Sequence, residues 1–373
     1  MAENYRGKGT KKASKSKAII FAIEIFLILI MLAILFMVLG KGSEGPKVVE
    51  LNENQLGINE DIHNKDKEEN GAPEVKPGAI ADTGYVNIAL FGVDAITKNG
   101  LYKGSRSDST MIASINMDTG DIKLVSVYRD TYLNLGTDTY NKCNHAYFYG
   151  GAEQAIKMLN MNLDMDITNF ITVNYQSLID LIDGLGGIYV DVSKGELKHI
   201  NNYQITINKD LNLGGYTPVK ETGYQKLNGL QAAAYCRIRY DVEGGDFGRA
   251  TNQREVIKAI EEQAKKTDPA TLTAVFNKVI GEVYTSMDSK DLLELVGNIN
   301  NYRIVDEAGF PEDSMRTVGN IGAKGSCVVP LDLESNVKWL HNFLFDDENY
   351  TVSDTVKECG AKVKSDTSNY IKR

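Results

Sequence analysis

The chain of 373 residues sets 41 lysines and arginines against 50 aspartates and glutamates, a formal net charge of -9, with 42% hydrophobic residues. That length and apolar content suffice for one large or two ordinary domains with a buried core. The acidic balance excludes general nucleic-acid binding, which needs a basic field.

The first feature is an apolar run over residues 18–39, interrupted by Glu24. About 20 such residues in a helix cross a bilayer core of about 30 Å. Arg6, Lys8, Lys11, Lys12, Lys15 and Lys17 precede it, and Lys41 with a mostly acidic stretch follows. The positive-inside bias predicts a cytoplasmic tail over 1–17, a membrane helix over 18–40 and everything later outside the cell. A cleaved signal peptide has a shorter apolar core, about 7–15 residues, ending at small residues. This run ends Met37-Val38-Leu39-Gly40-Lys41, so an uncleaved single-pass anchor is expected.

Residues 41–83 are rich in Glu, Asp, Asn, Lys and Gly and are expected to form a disordered linker. At Tyr85 the pattern changes. Val86-Asn87-Ile88-Ala89-Leu90-Phe91-Gly92-Val93 reads as a strand covered on both faces. Strands are expected at 111–116 and 122–127, joined by the turn Asp118-Thr119-Gly120-Asp121. A helix over 151–159, a strand over 170–173, a helix over 175–185 and a strand over 188–192 follow. Residues 194–226 read as a hairpin or surface excursion. Residues 229–235 begin as a helix and pass into a strand over 235–240, followed by a helix over 249–266. Helices near 271–284 and 288–300, a strand over 315–318 and a helix over 333–344 complete the domain. The predicted fold is an α/β/α sandwich with a mixed central sheet spanning 84–346, with a loose polar tail over 347–373. All four cysteines fall after the apolar run. Cys143 and Cys236 sit in patterns that favour buried thiols, and a Cys327–Cys359 bridge is one reading of the other two.

Arginine placement is the most informative chemical signal. Only ten of the 41 basic residues are arginines, and six of these, Arg106, Arg129, Arg237, Arg239, Arg249 and Arg254, occupy three short segments. The planar guanidinium fork suits phosphate oxygens. In a strand, Arg237 and Arg239 share one face, opposite Cys236 and Ile238, and call for an anion or carboxylate across from them. In the following helix Arg249, Gln253, Val256 and Ile260 share a face that is polar first and apolar later. Its start is therefore expected to point into a polar cavity, where free N–H groups favour phosphate. Asp246, just before it, reads either as a site carboxylate or as a helix cap. Asp94 and Asp108 lie at strand ends, where carboxylates can hold Mg²⁺ or merely serve turns. Arg129 and Asp130 end a third strand, as expected for a site on one sheet edge. His145 reads as ordering a helix start, and Lys142 reads as a phosphate ligand or a solvated lysine. A Walker A loop, a G-x-S-x-G elbow and His-rich ligand spacing are all absent from the sequence. The kinase-like triplet Asp246-Phe247-Gly248 stands without the other kinase motifs.

With Phe91-Gly92-Val93-Asp94, 105–111, 126–132, 142–151, 184–192 and 227–253 in this order, the chain resembles the LytR-CpsA-Psr family of cell-wall glycopolymer ligases. A weaker match covers 328–345. Tyr128 stands where the family commonly has proline, which alters the local loop and removes no charge. The resemblance implies a phosphotransferase that moves a glycopolymer phosphate from an undecaprenyl-pyrophosphate carrier to a peptidoglycan hydroxyl, with Mg²⁺ as cofactor. It implies that Asp94 and Asp108 attend the metal. It further implies that Arg106, Arg129, Arg237, Arg239, Arg249 and Gln253 grip the pyrophosphate. Asp246, Asp108 and Arg106 become the catalytic candidates, with Asp246 as base for the acceptor hydroxyl. Apolar residues between Phe170 and Ile188 line a lipid tunnel or form core. Hydrolysis of the lipid pyrophosphate, and a non-catalytic polyprenyl-phosphate-binding regulatory module, are the competing readings.

Overall fold

In the computed structural model, residues 45–59, 77–81, 83–94, 101–239 and 245–371 are described. The expected cytoplasmic tail and membrane helix lie outside them.

The strands in chain order are β1 (Lys47–Val48), β2 (Tyr85–Val93), β3 (Ser107–Asn116), β4 (Asp121–Val127), the hairpin β5 (Tyr132–Asn134) and β6 (Tyr140–Lys142), β7 (Asn169–Val173), the hairpin β8 (Ile188–Val192) and β9 (Gly223–Leu227), β10 (Tyr284–Thr285), β11 (Arg303–Phe310), and the hairpin β12 (Arg316–Asn320) and β13 (Ser326–Pro330). Seven form one sheet, ordered β1-β10-β7-β2-β3-β4-β11. It is mixed: β7 runs parallel to β2 and β11 parallel to β4, while β3 is antiparallel to both β2 and β4. The carboxyl ends of β2, β4, β7 and β11 therefore meet on one edge. The β3–β4 turn forms as expected. Asn116 accepts from the N–H groups of Asp118 and Thr119, at 3.0 and 3.1 Å. Gly120 takes a positive φ of 76°, and a Cβ there would lie 2.0 Å from the Asn301 carbonyl.

Both faces of β2 are buried. Ala89, Phe91 and Val93 face a core built with α1 (Asn144–Leu163) on one side of the sheet. Val86 and Ile88 face the other side. Next in the chain come α2 (Tyr175–Gly184), α3 (Lys194–Leu211), α4 (Gly229–Tyr235) and α5 (Asp246–Lys266), which surround a second core. The helices α6 (Pro269–Val279) and α7 (Ser289–Gly297) pack behind Val86 and Ile88, while α8 (Leu333–Phe345) and α9 (Asp354–Thr367) join α1. Ile179, Ile182 and Ile188, among the tunnel candidates, belong to the second core.

Several expectations fail, each for a local reason. Residues 45–59, expected in the linker, pack on the domain. Lys47 and Val48 pair with Tyr284 and Thr285, Leu56 is fully buried, and its carbonyl accepts from Asn160 Nδ2 at 3.0 Å. Two leucines anchor a stretch whose average composition is polar. Residues after 347 are not loose: Val356, Cys359 and Val363, at helical spacing, bury one face of α9. Residues 194–211 are a helix rather than part of a hairpin. It starts with a reciprocal capping box between Ser193 and Glu196 and buries Ile200, Gln204 and Ile207. The strand expected over 235–240 does not form. The α4 helix ends in a tight turn there, with Arg237 N–H donating to Ala234 O and Ile238 N–H to Tyr235 O, and Tyr240 lies outside the described residues. β11 escaped notice because this edge strand is polar and half exposed. The four cysteines are buried free thiols, so Cys327 and Cys359 form no bridge. They serve as small apolar groups in two different cores.

Candidate active site

The carboxyl edge of the sheet carries the charge. Asp94 follows β2, Asp108 is the second residue of β3, and Arg129 and Asp130 follow β4. Register places Val93 opposite Ser107 and Met111 opposite Ser126, which brings these three strand ends together. From above the edge, the α4–α5 connection delivers Arg237 and Arg239, and the first turns of α5 deliver Asp246, Arg249 and Gln253.

The result is a shared arginine–carboxylate network. Asp246 Oδ1 faces Arg249 Nη2 at 3.0 Å, Arg239 Nε at 3.6 Å and Arg129 Nε at 4.0 Å. Asp108 accepts from Arg129 Nη1 at 2.6 Å and faces Arg239 Nη2 at 3.8 Å. Asp94 lies 3.9 Å from Arg237, while Asp130 faces Arg129 and Lys142 at 3.8 and 3.3 Å. Arg237 also lies over the rings of Tyr175 and Tyr203, 5.1 and 5.7 Å from their centroids. Gln253 Nε2 donates to the Cys236 carbonyl at 3.4 Å. These groups enclose a cavity of about 190 Å³ lined by Asp108, Tyr175, Tyr203, Cys236, Arg237, Arg239, Arg249 and Gln253.

Arg249 is only 3% exposed, and both its Nε and that of Arg129 are buried without a hydrogen-bond partner. Burial lowers the proton affinity of Arg249, opposed by Asp246. Burial acts the same way on Arg129, but Asp108, Asp130 and Asp246 outweigh it and the net shift is upward. Burial raises the Asp94 carboxyl above its usual range, with Arg237 opposing and Asp108 adding to the rise. A buried cation with an orphaned donor is costly unless an anion completes it. An anion beside either Nε would supply the hydrogen-bond acceptor that the neighbouring carboxylates, at 3.8 Å or more from Arg129 Nε, do not.

The structure brings together Asp94, Asp108, Arg129, Arg237, Arg239, Asp246, Arg249 and Gln253. Arg237 and Arg239 both reach the network although no strand holds them, and Ile238 between them is fully buried. Arg106 stands aside, its guanidinium 5.5 Å from the Phe148 ring centroid. Arg254 turns away, donating to Ser126 Oγ at 2.8 Å and facing Glu307. The capping role considered for Asp246 is not observed: Gly245 is the cap residue, with no side-chain cap bond. The α5 face is polar at Arg249 and Gln253 and apolar at Val256, as its periodicity implied. Tyr175 and Tyr203 were missed. Tyr203 lies on the helix that was not foreseen, and an aromatic ring flanking an arginine has no spacing signature.

Among the described residues no group of three or more His, Cys, Asp or Glu side chains converges as a metal cage. Asp94 and Asp108 are close enough for the charge of Asp108 to raise the Asp94 carboxyl. A pair of hard oxygen donors suits an ion that takes its remaining ligands from water and phosphate, as Mg²⁺ does.

A mixed sheet with arginines and carboxylates converging outside its carboxyl ends defines an α/β protein that handles phosphorylated ligands. The model of the LytR_cpsA_psr family matches residues 47–325, beginning at β1, and the chain belongs to this family. It is 30% identical over 260 residues to a polyisoprenyl-teichoic acid–peptidoglycan teichoic acid transferase, TagU, of Bacillus mycoides, covering 69% of this chain and 78% of that one. It is 31% identical over 219 residues to biofilm regulatory protein A of Streptococcus mutans, covering 56% of this chain and 51% of that protein, so about half of that relative is spanned. The fold is shared with the family protein YwtF (TagT) with bound octaprenyl pyrophosphate lipid, at a TM-score of 0.52 and 22% identity, covering 73% and 93% of the two chains.

Proposed function

We propose that this protein is a phosphotransferase that moves a glycopolymer phosphate from a polyprenyl-pyrophosphate carrier to a hydroxyl of peptidoglycan. The observation that carries this reading is the buried, incompletely paired Arg249 in a cavity that it lines with Arg237 and Arg239. Arginines grouped in this way suit charge-assisted, bidentate bonds to phosphate oxygens. The relative's name supplies the acceptor and donor classes.

In the ligand-free arrangement the carboxylates stand in for phosphate. Arrival of the diphosphate lets Arg129, Arg239 and Arg249 exchange carboxylate contacts for phosphate oxygens. That exchange frees Asp246 to take the proton of the acceptor hydroxyl. The acceptor oxygen then bonds to the glycan-side phosphorus, the bridging P–O bond breaks, and polyprenyl monophosphate leaves with the electron pair. Asp108 positions Arg129 and Arg239. Arg106, apart from this network beside Phe148, would add only to the positive field that attracts the anion. Asp94 and Asp108 are the residues that would hold Mg²⁺, which when bound supplies neutralisation of phosphate charge. The apolar run 18–40 would anchor the chain in the membrane with the domain outside the cell, supported by the basic residues that precede it.

The test uses the full chain in detergent with Mg²⁺, a lipid-pyrophosphate-linked glycan and peptidoglycan oligomers. Arg237→Ala with Arg239→Ala should lose donor binding. Asp246→Asn should bind donor and fail to transfer. Transfer by Asp246→Asn would remove the base assignment, and donor bound but never converted in the wild type would leave a binding module.

A further inference from the structure

A second cavity opens on the same sheet edge, and the transfer chemistry above makes no use of it. It is a groove of about 320 Å³ at the carboxyl ends of β4 and β11. Its floor is Tyr128, whose N–H donates to the Phe310 carbonyl at 3.0 Å and whose ring lies across Gly309. Phe247 meets the Tyr128 ring edge-on, with centroids 4.6 Å apart. Arg316 lies over both rings, 4.0 Å from the Phe247 centroid and 4.9 Å from that of Tyr128. Its Nη1 donates to the Pro311 carbonyl at 3.0 Å and its Nη2 to Asp313 Oδ1 at 2.5 Å. Glu312, Asp313 and Trp339, the chain's one tryptophan, line it as well, with Thr251 among the smaller residues.

The two cavities share their dividing wall. Arg129 joins the arginine network while its neighbour Tyr128 lines the groove, and Asp246 joins the network while its neighbour Phe247 lines the groove. A ligand in the groove therefore sits one residue away from the carboxylate that faces the phosphate site.

The lining selects among ligands. Two carboxylates against one arginine disfavour an anion. A lipid tail would strip water from those carboxylates and return no hydrogen bonds. A neutral ring with apolar C–H faces and a hydroxylated rim satisfies both the aromatic surfaces and the acidic acceptors. We infer that this groove holds the acceptor: a sugar ring of the glycan strand lies against Tyr128, Phe247 and Trp339, with its reacting hydroxyl directed past Phe247 toward Asp246. This rests on the transfer reading for its chemistry, and the bonds made and broken are those given above.

Trp339 makes binding measurable without turnover. In the full chain in detergent, muramidase-released peptidoglycan oligosaccharides, added without donor, should change Trp339 emission saturably. Glu312→Gln combined with Asp313→Asn should weaken that binding about tenfold, about 1.4 kcal/mol, while Arg237→Ala leaves it unchanged. In the transfer assay the same pair of substitutions, and separately Trp339→Phe, should raise the acceptor KM about tenfold and leave the donor KM unchanged. No saturable emission change, or one abolished by Arg237→Ala and untouched by the groove variants, overturns the inference. Transfer with unaltered acceptor KM in the folded groove variants also overturns it and leaves the transfer reading standing. A saturable Trp339 response that the groove variants weaken, in a protein that never transfers, supports the groove and removes the transfer reading.

Discussion

Replacing Arg249 by methionine should separate the arginine's ligand role from any structural one. Its side chain is 4% exposed, its Nε has no hydrogen-bond partner, and its one close carboxylate, Asp246, is shared with Arg239 and Arg129. Methionine keeps most of the stem and removes a desolvated charge. The loss is a charge-assisted hydrogen-bond pair to Asp246, about 1.5–3 kcal/mol, and the relief of an unsatisfied buried donor returns about 1–3 kcal/mol. Asp246 is 26% exposed and keeps Arg239 at 3.6 Å, so it is not left stranded. The two effects nearly cancel. At roughly 2–4 °C per kcal/mol for a domain of this size, the ligand-free Tm should stay within about 5 °C of wild type. Pyrophosphate binding should fall about 100-fold or more, the cost of removing a buried hydrogen-bonded charge from a complex. Thermal melts with and without polyprenyl pyrophosphate read both quantities. A ligand-free Tm lower by about 10 °C or more would show that Arg249 holds the fold together. An undiminished rise of Tm with lipid would show that the phosphate is gripped elsewhere.

Three further outcomes follow from the same geometry. Tyr175→Leu removes one of two rings flanking Arg237 and should weaken donor binding about fivefold, about 1 kcal/mol, while Tyr175→Phe stays near wild type; equal effects from both would implicate the hydroxyl instead. Burial holds the Asp94 carboxyl above its usual range, so in that window the folded protein binds more protons than the unfolded chain and loses stability as pH rises through it. The Tm of Asp94→Asn relative to wild type should therefore climb as pH rises from the ordinary carboxylate range, and a difference constant with pH contradicts the shift. A Cβ at Gly309 would lie 1.9 Å from the Tyr128 hydroxyl oxygen. Gly309→Ala should destabilise by about 1–3 kcal/mol, an effect that largely disappears in a Tyr128→Ala background; additive losses in a double-mutant cycle would show that the contact is not the cause.

Much of the fold was legible because β2 carries a nearly continuous apolar run, β3, β4 and β7 carry shorter apolar stretches, and the turn at Asp118–Asp121 carries its own chemistry. What stayed hidden depended on tertiary partners. α9 and residues 45–59 are polar on average and fold because a few apolar side chains meet a core supplied from elsewhere. The site was legible through arginine placement, since arginines kept on separate segments pair with carboxylates there and offer the forks that suit phosphate. Its secondary structure was less so. Arg237 and Arg239 alternate around Ile238 in a turn as they would in a strand, so a period of two could not tell the two conformations apart. Arg254 shows the limit of reading residue type alone: five residues beyond Arg249 and so about 140° around the helix, it points to Ser126 and Glu307 instead.

The most direct measurement runs the transfer reaction with the full chain in water enriched in ¹⁸O and weighs the products. Transfer by the acceptor hydroxyl yields glycan joined to peptidoglycan through a phosphate without ¹⁸O, released polyprenyl monophosphate also without ¹⁸O, and neither product in Asp246→Asn. Glycan phosphate or polyprenyl phosphate carrying ¹⁸O, with no joined product, would mean that water is the acceptor and that the protein is a hydrolase.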